Sequence, residues 1–298
     1  MSDYLRLRQI CLAAPRLAPV IDDLQAIFKV AVCFRDPNVA PYGLENALIP
    51  IGTGFLEVVA PFRDDTAAGR FIARTRGHGG YMAIFQANDP RRRQAVAEAM
   101  GVRTAHVIER DTYQNAQLHP RDCRAAFIEF GHSAGGDDRM GNWWPAGPHW
   151  QPFIRSEDTR RMLGIEMQSP DREGLAAHWS RILETPLTRV GADPALVFED
   201  GTICFVEGKT ECLGAIRVEV SDKAATLDRA VACGYRVEDD SFHLGGVYFR
   251  VLDQTPTMET RSSRRICSPS AAKWPWGLAA AVVLAAPWPW ASPTRAPT

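Results

Sequence analysis

Neither sign of charge is in excess in this sequence: 34 basic side chains stand against 35 acidic ones over 298 residues. Proteins that grip DNA, RNA or an anionic membrane carry a basic footprint, so no nucleic-acid or membrane partner is expected. Cysteine is sparse and unpatterned. Seven are scattered, at Cys11, Cys33, Cys123, Cys204, Cys212, Cys233 and Cys267, and no C-x-x-C pair occurs. That excludes a zinc finger and a disulfide framework and leaves buried free thiols in a reducing compartment. Long apolar runs are missing too. Gly277–Ala286 is about half of what a bilayer requires. The opening MSDYLRLRQICLAAP has no apolar core and no small-residue cleavage pattern, so no signal peptide is expected. Neither a P-loop nor a dinucleotide fingerprint is present. A cytoplasmic protein with a small-molecule substrate or ligand is the expectation.

What is present is a large apolar fraction, 46%, against 23% charged residues, enough for a substantial core. Leu5–Ala13 reads as a strand, and Leu17–Phe28 has apolar spacing suited to a helix. Asn46–Ile51 and Gly54–Ala60 read as short strands separated by turn glycines. Gly80–Ala87 is a strand, and Asn88-Asp89-Pro90 starts a helix that ends before Gly101. Val102–Glu109 and Arg124–Phe130 follow as strands. The elements named run β-α-β-β twice, and the two units are read as βαβββ modules.

Counting supports a repeat. Gln9 and Glu57 lie 48 positions apart, on the first and last strands of the first unit. Tyr81 and Glu129 lie 48 apart in the second, and FLEVV around Glu57 matches FIEFG around Glu129. A looser echo follows. It has strands at Met162–Gln168, Ala195–Phe198, Thr202–Glu207, Leu213–Val220, Tyr235–Glu238 and Gly246–Leu252, with helices at Glu173–Leu183 and Lys223–Ala232. The fold class is therefore α+β, with about four tandem βαβββ modules forming curved, cup-like mixed sheets. Residues 1–135 form the first pair of modules, and 136–158 a linker with aromatic anchors. Residues 159–253 form a second, degenerate pair, and 254–298 a Pro/Trp-rich tail. Disorder, a weak interfacial anchor and a shifted reading frame all remain open for the tail.

The segments LRQICLAAPRL…FLEVVAP and LHPRDCRAAFIEF resemble the glyoxalase-like proteins of the vicinal-oxygen-chelate superfamily. In that family metal ligands come from the first and last strands of each module, which here implies Gln9, Glu57 and Glu129, with Tyr81 where a histidine is expected. The resemblance implies a divalent ion (zinc, manganese, nickel or magnesium) and a metal-dependent lyase or isomerase. Glu129 or Glu57 would move a proton and the metal would hold an enediolate. Tyr81 and His119 are candidates for the substrate pocket. The resemblance equally allows a non-catalytic binder of the bleomycin-resistance type, and it leaves open whether the cup is completed within one chain or across a homodimer. The positions matching the iron ligands of ring-cleaving dioxygenases are Gly164, Gly214 and Arg250, which argues against an iron site in the second half. Read as residues alone, a strand glutamate faces solvent as readily as a site. The matched pair raises the interior reading, because buried paired carboxylates need a metal or a shared proton.

Overall fold

Four βαβββ modules follow one another in the computed structural model, which describes residues 3–254. The first contains β1 (Leu5–Ala13), α1 (Leu17–Phe28), β2 (Leu44–Ile51) and β3 (Gly54–Pro61). Its remaining strand is reduced to one bridge, Phe34 with Leu48. A short helix, α2 (Ala67–Thr75), leads into the second module. This contains β4 (Met82–Ala87), α3 (Pro90–Ala99), β5 (Thr104–Arg110), β6 (Tyr113–Leu118), a single turn α4 (Pro120–Cys123) and β7 (Phe127–Ser133). The third contains β8 (Thr159–Ser169), α5 (Arg172–Leu183), β9 (Leu187–Val190), β10 (Asp193–Phe198) and β11 (Gly201–Glu207). The fourth contains β12 (Cys212–Val220), α6 (Lys223–Ala232), β13 (Val237–Glu238), β14 (Ser241–Leu244) and β15 (Val247–Asp253).

Within each module the first and last strands pair in parallel, as a right-handed crossover through the helix allows. Modules then join through antiparallel pairs, β1 with β4 and β8 with β12. The result is a seven-stranded sheet, β2-β3-β1-β4-β7-β6-β5, and an eight-stranded sheet, β13-β14-β15-β12-β8-β11-β10-β9. Three module helices start the same way. Asp89, Asp171 and Asp222 each accept a backbone N–H from three residues on, at 2.9–3.0 Å, satisfying one of the donors that a helix start leaves free.

One core serves both sheets. Ile10, Leu12, Leu56 and Val58 of the first share it with Ile165, Met167, Ile216 and Val218 of the second, and Leu24, Phe28, Trp179 and Ile182 of the helices fill it. Each such side chain contributes about 1.5–3 kcal/mol by leaving water. Strand alternation then sends the intervening residues to the opposite faces. On the first sheet that opposite face is covered. A second apolar cluster joins Cys11, Phe55, Val59, Met82 and Ile84 to Ala68 and Phe71 of α2 and to Trp143 and Trp150 of the linker. On the second sheet the same face carries half-exposed polar residues, with Val197 and Tyr248 open to water.

The six cysteines among the described residues are free. No helix among these residues is long and apolar enough to cross a membrane. The tail readings for 254–298 fall, beyond Gln254, outside the described residues.

Candidate functional site

Gln9, Glu57 and Glu129 do converge on the covered face of the first sheet, all three buried. Cys11 faces Glu57 across β1 and β3, and Ile84 faces Glu129 across β4 and β7. Gln9 donates through Nε2 to Glu57 Oε2 at 2.9 Å, and Asn46 Nδ2 donates to the other oxygen at 2.7 Å. Glu129 is held by three donors. Tyr113 Oη and Asn115 Nδ2 reach Oε1 at 3.1 and 3.0 Å, and Gln117 Nε2 reaches Oε2 at 2.7 Å.

Asn46 and Asn115 are register equivalents, each two positions before the residue opposite the module's glutamate. Their amides are a repeat that apolar periodicity does not reveal, since both side chains are polar and their sequence spacing differs. They stand 11 and 14 positions before their glutamates, because the second module inserts α4 between its last two strands. The interval between paired first and last strands also differs by one residue between modules. Matched by register, the equivalent of Gln9 in the second module is therefore Met82, and Tyr81 sits just before the strand. Tyr81 is packing: its buried ring lies between Phe71 and Phe127, at centroid distances of 4.9 and 5.0 Å. His119 lies away from the cup. It caps α4, accepting the Arg121 N–H at 3.4 Å, next to Arg103.

The space between the glutamates and solvent is taken by the linker. Trp143, fully buried, donates its indole N–H to Gln9 Oε1 at 2.7 Å. Gly131 of β7 makes room for it, since a Cβ there would come within 3.1 Å of the indole. Trp144 stacks on Tyr113 at 4.8 Å, and Trp150 meets Phe55 edge-on at 4.9 Å. Two cavities open elsewhere. One of about 80 Å³ lies between the sheets beside Thr53, Arg139 and Asp200, and one of about 210 Å³ lies beside Asp36 and Asn46. Neither is lined by Gln9, Glu57 or Glu129.

Burial raises the proton affinity of both glutamates above the ordinary carboxylate range, against the pull of the amide donors, and Glu57 adds to the shift at Glu129. The effect on stability follows from linkage. Above the ordinary glutamate range the unfolded chain has released these protons while the folded chain retains them. Stability therefore falls as pH rises, until the folded groups ionise as well. Urea midpoints measured from pH 5 to 8 are expected to show this fall in the wild type and a flatter profile in Glu57→Gln/Glu129→Gln. Parallel profiles would mean that the carboxylates are ionised in the fold.

No family model matches the sequence, and no curated protein matches it. Solved structures do. A hypothetical protein from Staphylococcus aureus superposes on 84% of this chain and 99% of its own, with a TM-score of 0.58 and 11% identity. A 4-hydroxymandelate synthase variant from Streptomyces coelicolor covers 85% of this chain and 93% of its own, with a TM-score of 0.59 and 11% identity. This chain has the vicinal-oxygen-chelate fold. A Streptomyces coelicolor methylmalonyl-CoA epimerase matches over only 43% of this chain, with a TM-score of 0.39 and 24% identity, and adds nothing to that assignment.

The vicinal-oxygen-chelate fold makes a metal at Gln9, Glu57 and Glu129 the natural question. The donor set argues against one as it is arranged. The Gln9 oxygen that would face the ion is taken by Trp143, and its amide is turned to Glu57. The fourth strand position offers a thioether, Met82, which hard divalent ions do not favour. Among the described residues no three His, Cys, Asp or Glu side chains come together in a way that could hold an ion. These residues do not fit a chelated metal, and what the arrangement does instead is close the cup. The sequence also spells Gly131-His132-Ser133-Ala134-Gly135, the G-x-S-x-G pattern of serine hydrolases. Here it ends a strand rather than forming an elbow before a helix. Ser133 is buried and its oxygen accepts the Trp144 N–H at 2.9 Å.

Proposed function

We propose that this chain is a small-molecule-binding protein of the vicinal-oxygen-chelate fold. Its first cup is closed by its own linker, and the open face of its second sheet receives the ligand. The observation that supports this is the contrast between equivalent faces. Trp143 and Trp150 lie buried against the first, while the second keeps half-exposed polar side chains flanked by exposed Val197 and Tyr248. Ligand sites gather a few polar groups on an accessible surface, and the second face keeps such groups open to water while the first no longer does.

An isomerase or lyase at the first cup is the second reading. One observation favours it: two buried glutamates, on the last strands of adjoining modules, bind protons more tightly than usual. Such a pair is suited to proton transfer, provided the linker withdraws. Elemental mass spectrometry on the purified chain separates the two. Metal well below one ion per chain, unchanged in Glu57→Gln/Glu129→Gln, is the expected result. About one divalent ion per chain, lost in the double variant, would overturn the binder reading in favour of the enzyme.

A further inference from the structure

The open face of the second sheet contains a row of residues in register across six strands: Val197, Thr202, Gly164, Arg217, Arg250 and Ser241. Two arginines therefore stand side by side on neighbouring parallel strands. Like charges so placed repel unless something compensates them. Arg250 is compensated, since its Nε donates to the nearly buried Glu166 at 2.7 Å. Arg217 is not. Among the described residues its hydrogen bond goes to the Cys204 thiol, a weak acceptor, at 3.9 Å, and it forms no ion pair.

The floor beside Arg217 is flat for a backbone reason. Gly164 has φ +136°, and a Cβ on it would come within 1.9 Å of the Thr202 carbonyl oxygen. No side chain can rise between Thr202 and Arg217. The half-exposed Thr202 faces this bare patch from one side, the guanidinium from the other, and Tyr248 supplies an exposed ring two residues before Arg250.

We infer that Arg217, backed by Arg250 and set beside the bare backbone of Gly164, binds the anionic oxygen group of a small organic molecule, a carboxylate or a phosphate ester. This deepens the reading of the second sheet as the ligand surface. A guanidinium presents a planar fork of donors that matches either group with two parallel hydrogen bonds. The Glu166 carboxylate keeps Arg250 in place, and Glu219, on the same face, is engaged with Arg161, which leaves the Arg217 guanidinium to meet the anion.

The test uses the full chain and the arginine reagent phenylglyoxal, with peptide mass mapping to follow each arginine separately. The probes are inorganic phosphate and acetate, titrated through the millimolar range. Arg217 modification is expected to slow about tenfold at saturation, as for a guanidinium engaged by a charge-assisted hydrogen-bonded pair. The highly exposed Arg236 should be unaffected. Protection by phosphate alone identifies a phosphate-bearing ligand, and protection by acetate as well identifies a carboxylate. Protection by neither anion, or equal protection of Arg236, overturns the inference. Because the readout is on the wild-type chain, it does not depend on a variant folding. A metal ion found at Glu57 and Glu129 would sink the reading of the first cup and leave this result standing, so the two failures are distinguishable.

Discussion

Trp143→Ala is expected to lower the stability of the chain by about 3–5 kcal/mol, within the range for emptying a buried aromatic site. Two losses add. The indole is fully buried against Arg8, Tyr113 and Gly131, so alanine leaves a cavity that strands β1 and β7, fixed by their ladders, cannot collapse into. Gln9 Oε1 also loses its donor in a buried place, which costs about 1–3 kcal/mol where water does not enter. Trp143→Phe keeps most of the volume and loses the N–H, so about 1–2 kcal/mol is expected for it. Urea unfolding followed by circular dichroism measures both. A near-neutral Trp143→Ala would show that the linker is not seated in solution, and would bring the first cup back as a reaction site.

Arg8 should give an effect of similar size for a different reason. It is a fully buried arginine with no carboxylate within ion-pair distance among the described residues. Its guanidinium donates to the carbonyl oxygens of Thr53 and Arg139 and lies 5.1–5.8 Å from the ring centroids of Phe55, Trp143 and Trp150. Burial pulls its pKa down to about 10, and the more distant Asp200 opposes that pull. Even so, Arg8 stays charged at neutral pH, with cation–π contacts and two carbonyls as its compensation. Arg8→Ala removes these contacts and leaves a void, so a loss of about 3–5 kcal/mol is expected. Arg8→Met keeps the length of the side chain without a charge to desolvate, and about 1–2 kcal/mol is expected for it. If methionine proves as damaging as alanine, the hydrogen bonds to the β2–β3 turn at Thr53 and to the linker at Arg139, rather than the packing, carry the effect, and the ranking is read from the same unfolding curves.

Much of the fold was legible in the sequence because periodicity and capping residues act locally. Strand β1, helix α1 and helix α6 fall where apolar spacing puts them, and α3 starts where Asn88-Asp89-Pro90 puts it. Strands β6, β9 and β14 escaped. YQNAQL in β6 turns amides toward Glu129 where a strand pattern would show apolar residues, all four residues of β9 are exposed, and β14 is only four residues long. Gln9, Glu57 and Glu129 stand out in the sequence because FLEVV around Glu57 matches FIEFG around Glu129 and Gln9 lies on the first strand of its module. The count places the fourth position on Tyr81, one residue from Met82, the true equivalent of Gln9, since counting cannot see where a module takes up an extra residue. The linker tryptophans stood out as anchors, but their destination did not. Trp143 bonds a residue 134 positions away, and no local pattern encodes such a contact.

The covalent joining of two module pairs has a consequence for symmetry. A dimer of identical two-module chains carries the same cup twice, and a segment that sealed one would seal both. In this chain the segment after β7 exists once and belongs to one module pair, so it folds back on the first cup alone. Tandem fusion therefore separates two duties that a symmetric dimer must perform with a single surface. Under the proposed function, one cup is a filled foundation, and the other is free to change its polar lining without putting the fold at risk.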